Sequence, residues 1–238
     1  MDFRNILIVI PARGGSKGIP KKNIYPINGK PLILYTIDVA LKAELDGDIV
    51  VSTDSNEIAN VVKTYTDSVE IIKRPDNISG DNASTESALL HAIDYMKDKH
   101  GKEYSEVITL QATSPFRKSE TLRKFVSEYY SIRDQYDAQL TLTEDRTDFW
   151  IKNSAGEYER LQKNAPRRRQ DRKPLYIENS SIYITNVLTL KETKSVLGKR
   201  TTGFIIDPDE SLDINEVIDI QLAELILKNR LENNDNTR

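Results

Sequence analysis

The run Ile6-Leu7-Ile8-Val9-Ile10, mostly β-branched and closed by Pro11, leaves little choice of structure. An apolar run without alternation must be buried on both faces, as in the central strand of a parallel sheet. Parallel neighbours need crossovers, and the following sequence supplies them. Pro11 to Asn28 is irregular, dense in glycine, proline and cations, and reads as a basic loop. Pro31 then sits where a first helical residue is favoured, and Ile33, Ile37, Ala40 and Leu41 recur at helical spacing before Gly47. A strand at Ile49–Thr53, a helix at Ser55–Tyr65 and a strand at Val69–Ile72 complete a βαβαβ order, which implies a right-handed, open parallel sheet.

The rhythm continues with a helix over Ser84–Met96, a strand over Val107–Leu110 and a helix over Thr121–Tyr130, then changes at Ala138. A strand at Gln139–Thr143, a polar stretch holding Trp150 and the charge-dense Arg167–Lys173 precede a strand at Ser181–Thr185, so about 138–180 reads as an insertion or arm. The chain returns to the sheet at Phe204–Ile206 and closes with an amphipathic helix from about Asn215 to Leu231. The expected fold is α/β: a Rossmann-like, mostly parallel sheet with helices on both faces and a small arm. A chain of 238 residues can bury this as one domain, 1–238.

Composition removes several function classes. No run approaches the roughly 20 apolar residues of a spanning helix, so a soluble protein is expected. The net charge of -3 offers no long-range attraction to nucleic acid or an anionic membrane, and Arg167–Lys173 lacks interleaved aromatics, so neither partner is expected. There is no cysteine, which excludes disulfides, thiolate zinc and a thiol nucleophile. The N-terminus enters a strand without a cleavage signature, making the cytoplasm the expected location. His91 and His100 match no catalytic pattern.

The loop Pro11-Ala12-Arg13-Gly14-Gly15-Ser16-Lys17-Gly18 places cations and flexible amides at the carboxyl end of the buried strand, where open α/β sheets bind ligands. Glycines let N–H groups converge on a polyanion, Arg13 can bind phosphate bidentately, and Lys17 adds a mobile charge. A triphosphate is the chemistry suggested; a solvated basic turn is the alternative. Gly18 follows Lys17 where a Walker loop needs a hydroxyl, and the dinucleotide fingerprint Gly-x-Gly-x-x-Gly is missing.

This loop, followed by Lys22-Asn23 and Asn28-Gly29-Lys30-Pro31-Leu32, resembles the opening of the acylneuraminate cytidylyltransferases, the CMP-sialic acid synthetase family that includes CMP-legionaminic and CMP-pseudaminic acid synthetases. Ser52-Thr53-Asp54, Arg74-Pro75, Asp81-Asn82-Ala83-Ser84, Gln111-Ala112-Thr113-Ser114-Pro115, Arg168-Arg169-Gln170-Asp171 and Asp213-Ile214-Asn215 follow in family order across nearly the whole chain. The resemblance implies a single nucleotidyltransferase domain that transfers CMP from CTP to the anomeric hydroxyl of a nonulosonic acid, releasing pyrophosphate, with Mg²⁺ as cofactor and a homodimer formed through the arm.

It also implies roles. Arg13, Lys17 and Lys22 are the expected catalytic cations. Ala12, Arg13, Gly14, Gly15, Ser16, Asn23, Arg74 and Ser84 are expected at the nucleotide, although Ser84 also suits a plain N-cap. Gln111, Thr113, Ser114, Arg169 and Asn179 are expected near the sugar, although Thr-Ser-Pro also suits a turn. Asp213 and Asn215 stand where the family has Asp-x-Asp for the metal; Asn215 brings a carbonyl without charge, or serves as the N-cap of the last helix. Asp207, Asp209 and Glu210 are nearby substitutes. Ser180 replaces the usual glycine after Asn179, which leaves the acidic sugar open. Another sugar nucleotidyltransferase, such as one for 3-deoxy-manno-octulosonate, and a non-catalytic nucleotide-binding subunit are the competing readings.

Overall fold

The computed structural model describes residues 5–16, 18–80 and 83–235, with side chains as far as Arg230. Strand β1 (Ile6–Pro11) lies inside a seven-stranded sheet and its five leading residues are fully buried, as the uninterrupted apolar run requires. It pairs in parallel with β4 (Gly47–Thr53) on one side and β6 (Glu106–Leu110) on the other. The basic loop ends in a strand, β2 (Pro26–Ile27), that pairs with β3 (Lys30–Pro31). Strand β5 (Glu70–Lys73) extends the sheet past β4.

Beyond β6 come β10 (Leu175–Asn186), β7 (Ala138–Asp145) and β11 (Thr201–Ile205), giving the order β11-β7-β10-β6-β1-β4-β5. Four of the six pairings are parallel; β10 runs antiparallel to both its neighbours. The sheet is thus mostly parallel, with one reversed strand. The chain leaves β1 toward β4 and β5 and returns to its other side as β6, so the topological switch opens a crevice at the carboxyl ends of β1 and β6.

The alternation of β1 feeds two layers. Ile6, Ile8 and Ile10 pack with α1 (Leu32–Lys42), α2 (Asn56–Tyr65) and α4 (Ser119–Ile132). Leu7 and Val9 pack with α3 (Thr85–His100) and the seven-residue α5 (Val187–Thr193), which sequence periodicity did not reveal. Asn186 creates α5 by accepting from the amides of Leu188 and Thr189.

Two sequence expectations change here. The final helix α6 begins at Val217 rather than Asn215, because the Asp219 carboxylate takes the amides of both Asn215 and Glu216; Asn215 is not its N-cap. Between β7 and β10 the chain forms a hairpin, β8 (Trp150–Lys152) with β9 (Tyr158–Arg160), that exposes Trp150 and Tyr158. The strands flanking this hairpin, β7 and β10, pair with each other inside the main sheet.

Candidate active site

A cleft of about 470 Å³ opens at the switch point, where β1 and β6 both end. The loop after β1 forms one wall. The Ala12 amide donates to the Ser52 carbonyl at 2.9 Å, continuing the β1–β4 ladder and burying Ala12 beneath the cleft. The Gly14 amide donates to Asp54 Oδ1 at 2.8 Å, and a Cβ on Gly14 would lie 2.9 Å from the Ser55 Cβ. Only glycine allows that approach. Arg13, Gly15 and Ser16 consequently face the cleft. Lys17 lies outside the described residues, as do Asp81 and Asn82.

Three further polar groups brace this wall. Asn23 Nδ2 donates to the Arg13 carbonyl at 2.9 Å, so its side chain supports the loop while lining the cleft. Arg74 is buried beside it, with Nε donating to Ser52 Oγ at 3.2 Å and Nη2 at 2.9 Å to the Ser52 carbonyl that also takes the Ala12 amide. Burial lowers its pKa, against the opposing pull of Asp54. Ser84 accepts from the Ser87 amide at 3.2 Å as the N-cap of α3 and also lines the cleft; the two readings of this residue coexist.

Asn215 lines the cleft as well, with Asp213 and Ile214 behind it. Lys22 Nζ donates to the Ile214 carbonyl at 2.7 Å and to Asn215 Oδ1 at 3.2 Å. Desolvation lowers the Lys22 pKa; Asp213 opposes that shift and Arg13 adds to it. Asn215 Nδ2 donates to Asp213 Oδ2 at 2.6 Å, whereas Asp213 Oδ1 is buried without a hydrogen-bond partner. The asparagine therefore bridges Asp213 and Lys22, and its carbonyl is turned to the lysine. Gly18 supports this segment, since a Cβ there would meet the Asn215 carbonyl at 2.6 Å.

No group of three or more carboxylates or histidines that could hold a metal occurs among the described residues. The orphan oxygen of Asp213 fits a hard divalent ion whose remaining ligands come from phosphate and water, the usual habit of Mg²⁺. Glu210 cannot substitute for it. Buried, it accepts from the Lys118 amide and Thr121 Oγ1, both at 2.9 Å, and pairs with Lys118 Nζ at 3.1 Å, so it caps α4 from a distant loop.

The expected sugar residues divide. Gln111 and Thr113 line the cleft, and the Thr113 carbonyl accepts from the Ile214 amide at 2.9 Å. Ser114 lies buried behind them with Oγ unpartnered. Asn179, 8% exposed, accepts from Thr141 Oγ1 and the Ser181 amide and donates to Thr143 Oγ1. It holds the irregularity in β10, where Ser180 takes a positive φ of 57°, the conformation that glycine adopts most easily. Arg169 is exposed in a short turn and does not line the cleft of its own chain.

Two residues at the site escaped sequence reasoning. Asp54, matched within Ser52-Thr53-Asp54 but given no role, follows a strand like many loop aspartates, and its tie to Gly14 spans 40 positions. Arg117 follows Pro115-Phe116 like a surface cation, yet it is 3% exposed. Only its burial distinguishes it.

A cytidylyltransferase family model matches residues 7–231. The chain is 34% identical to the CMP-N,N'-diacetyllegionaminic acid synthase of Legionella pneumophila over 94% of this chain and 96% of that protein. It is 29% identical to the pseudaminic acid cytidylyltransferase of Campylobacter jejuni, covering 93% and 96%. The N-acylneuraminate cytidylyltransferase of Escherichia coli is 30% identical over 92% of this chain, which spans about half (51%) of that protein's length. In fold it is similar to a CMP:2-keto-3-deoxy-manno-octonic acid synthetase solved with CTP (TM-score 0.67, 17% identity, covering 95% and 99%) and to the 4-diphosphocytidyl-2C-methyl-D-erythritol synthase of Anaerococcus prevotii (TM-score 0.68, 13% identity, covering 95% and 100%). With the match running from β1 into the last helix, the chain belongs to the cytidylyltransferase family.

Proposed function

We propose that this protein transfers CMP from CTP to the anomeric hydroxyl of a nonulosonic acid. The observation that carries the reading is the gathering of Arg13, Lys22 and Arg74 in one cleft at the switch point, with Asp213 held behind the cleft-lining Asn215 and one of its carboxylate oxygens unpartnered. Three cations around one cleft suit a triphosphate, and the 34% and 29% identical relatives named for legionaminic and pseudaminic acid indicate the acceptor class.

In this reading Arg74 and Ser84 hold the nucleoside end, and the amides of Gly15 and Ser16 with Arg13 hold the phosphates. Ala12, Gly14 and Asn23 fix the loop that presents them. The acid enters against Gln111 and Thr113, with Ser114 and Asn179 behind and Arg169 reaching it from the arm of a second copy. The anomeric hydroxyl attacks the α-phosphorus and gives up its proton to solvent, the bond to the bridging β-phosphate oxygen breaks, and pyrophosphate leaves. Arg13, Lys17 and Lys22 stabilise the charge that develops on that leaving group. A bound Mg²⁺, held by Asp213 with Asn215 beside it, would supply further charge neutralisation on the triphosphate.

The same reading makes the whole chain one catalytic domain whose arm, exposing Trp150, Ile151, Tyr158 and Leu161, joins two copies in a cytoplasmic homodimer. Among the described residues no helix is long and apolar enough to cross a membrane. The test is incubation with CTP, Mg²⁺ and a panel of sialic, legionaminic and pseudaminic acids. Pyrophosphate release with a CMP-sugar mass for at least one acid is expected, and no release with any acid would overturn the reading.

A further inference from the structure

Besides the cations that line the cleft, a buried one lies behind its sugar-side wall. Arg117 Nη2 donates to the Gln111 carbonyl at 3.0 Å and to the Ser181 carbonyl at 2.7 Å; Nε donates to Ser181 Oγ at 3.0 Å, and Nη1 lies 3.5 Å from Thr36 Oγ1. Among the described residues none of its hydrogen-bond partners is a carboxylate. The sheet pairing of β6 with β10 ends at Leu110 opposite Ile182. Past that pair the strands are joined only by a long bond from the Gln111 amide to the Ser181 carbonyl, 3.4 Å, and the guanidinium holds these same two residues, at the point where β6 releases Gln111, Ala112 and Thr113 into the cleft and β10 passes its irregularity at Ser180.

Burying a guanidinium among neutral oxygens is expensive, and a well-packed apolar side chain would stabilise a core at least as well. Burial pushes the Arg117 pKa down to about 9, even though the charges of Glu210 and Asp213 pull it upward. What the guanidinium supplies, and a hydrocarbon does not, is a planar fork that fixes two backbone segments relative to each other. Those segments carry Gln111 and Thr113 on one side and Asn179 to Ser181 on the other.

We propose that Arg117 is a positioning residue for the acidic-sugar side of the cleft, setting Gln111 and Thr113 by clamping the end of β6 to β10. The proposal rests on the acceptor assignment above. It predicts an asymmetric kinetic effect, because the loop that presents Arg13, Gly15 and Ser16 is tied to Ser52 and Asp54 rather than to the clamped strands.

The decisive variant is Arg117→Lys, which keeps a cation but loses the fork, with Arg117→Met as the neutral companion. Arg117→Lys should raise KM for the acid on the order of tenfold, as expected for slight misplacement of binding groups, and leave KM for CTP within about twofold. Hydrogen exchange on the same proteins, without substrate, should speed up on the order of tenfold at residues 111–114 and 179–182 and remain unchanged at 12–16. That measurement does not depend on turnover, so if the unmodified protein activates no acid, the acceptor assignment fails while the clamp is still decided. Arg117→Met should show the larger effect; if it does not fold, Arg117→Lys decides alone. Wild-type exchange and kinetics in Arg117→Lys would overturn the proposal, as would equal rises in both KM values with uniformly faster exchange.

Discussion

Replacing Lys22 by alanine separates charge at the site from stability of the fold. In the folded protein the ammonium is half-buried, donates to Ile214 and Asn215, and has its pKa lowered by desolvation. Hydrogen bonds from a charged donor contribute about 1.5–3 kcal/mol, but the desolvation penalty offsets part of that and disappears with the side chain. The net loss should stay within about 2 kcal/mol, which for a domain of this size lowers Tm by roughly 4–8 °C. Removing a group that stabilises transition-state charge lowers turnover by about 10²–10³. Thermal scans and a pyrophosphate-coupled assay at 25 °C, where the variant remains folded, read the two effects independently. The pH dependence has a definite sign. A lysine whose folded pKa is lowered carries a stability penalty that is full below that pKa and relieved as pH rises from it toward 10.5. Its catalytic charge is lost over the same rise, so the alkaline limb of kcat/KM for CTP should fall earlier than the limb of kcat, since bound triphosphate favours the ammonium. A variant within about tenfold of wild-type turnover, or one whose loss merely follows its unfolded fraction, would refute the role given to Lys22.

Three other substitutions test the walls of the cleft. Gly14→Ala forces a Cβ to within 2.9 Å of the Ser55 Cβ, so the loop must shift; KM for CTP should rise about tenfold at a stability loss of about 1–3 kcal/mol, read by kinetics and denaturant titration. Glu210→Ala removes the distant cap of α4 and leaves the Lys118 amide without its partner; a loss of about 1–3 kcal/mol is expected in a denaturant titration, with nucleotide affinity little changed. Asn215→Asp places a second carboxylate against Asp213 Oδ2, where an amide now donates at 2.6 Å; the metal-free protein should melt lower, and half-saturating Mg²⁺ in the pyrophosphate assay should fall. An unchanged Mg²⁺ requirement would show that position 215 does not influence the ion.

The sheet and its ligand edge were legible in the sequence because their signals are local. An apolar run at β1, helical spacing in α1 and α3, and glycines beside cations after β1 each report on a few neighbouring residues, and βαβαβ order then fixes the handedness and the edge where ligands bind. Helix ends were less legible: α3 runs four residues past Met96 and α6 four past Leu231, and of the two roles open to Asn215 the cap falls because Asp219, inside the first turn, takes the amides of Asn215 and Glu216. The reversed strand β10 was also beyond local pattern, since its direction follows from which neighbours it pairs with.

What the tertiary structure alone decided is the set of contacts between residues far apart in the chain. Asp54 is ordinary until it meets Gly14, Glu210 looks like a spare metal ligand until it caps α4, and Asn179 looks like a sugar contact until its amide is found bonded to Thr141, Thr143 and Ser181. Arg117 is the clearest case. Sequence determined that a cation follows Pro115-Phe116, and folding determined that it is buried across two strand ends, one of them at Ser181, 64 residues further along the chain. A side chain's chemical type is written in the sequence, whereas its hydrogen-bond partners and exposure to water are set by packing, and those fix what the group can do.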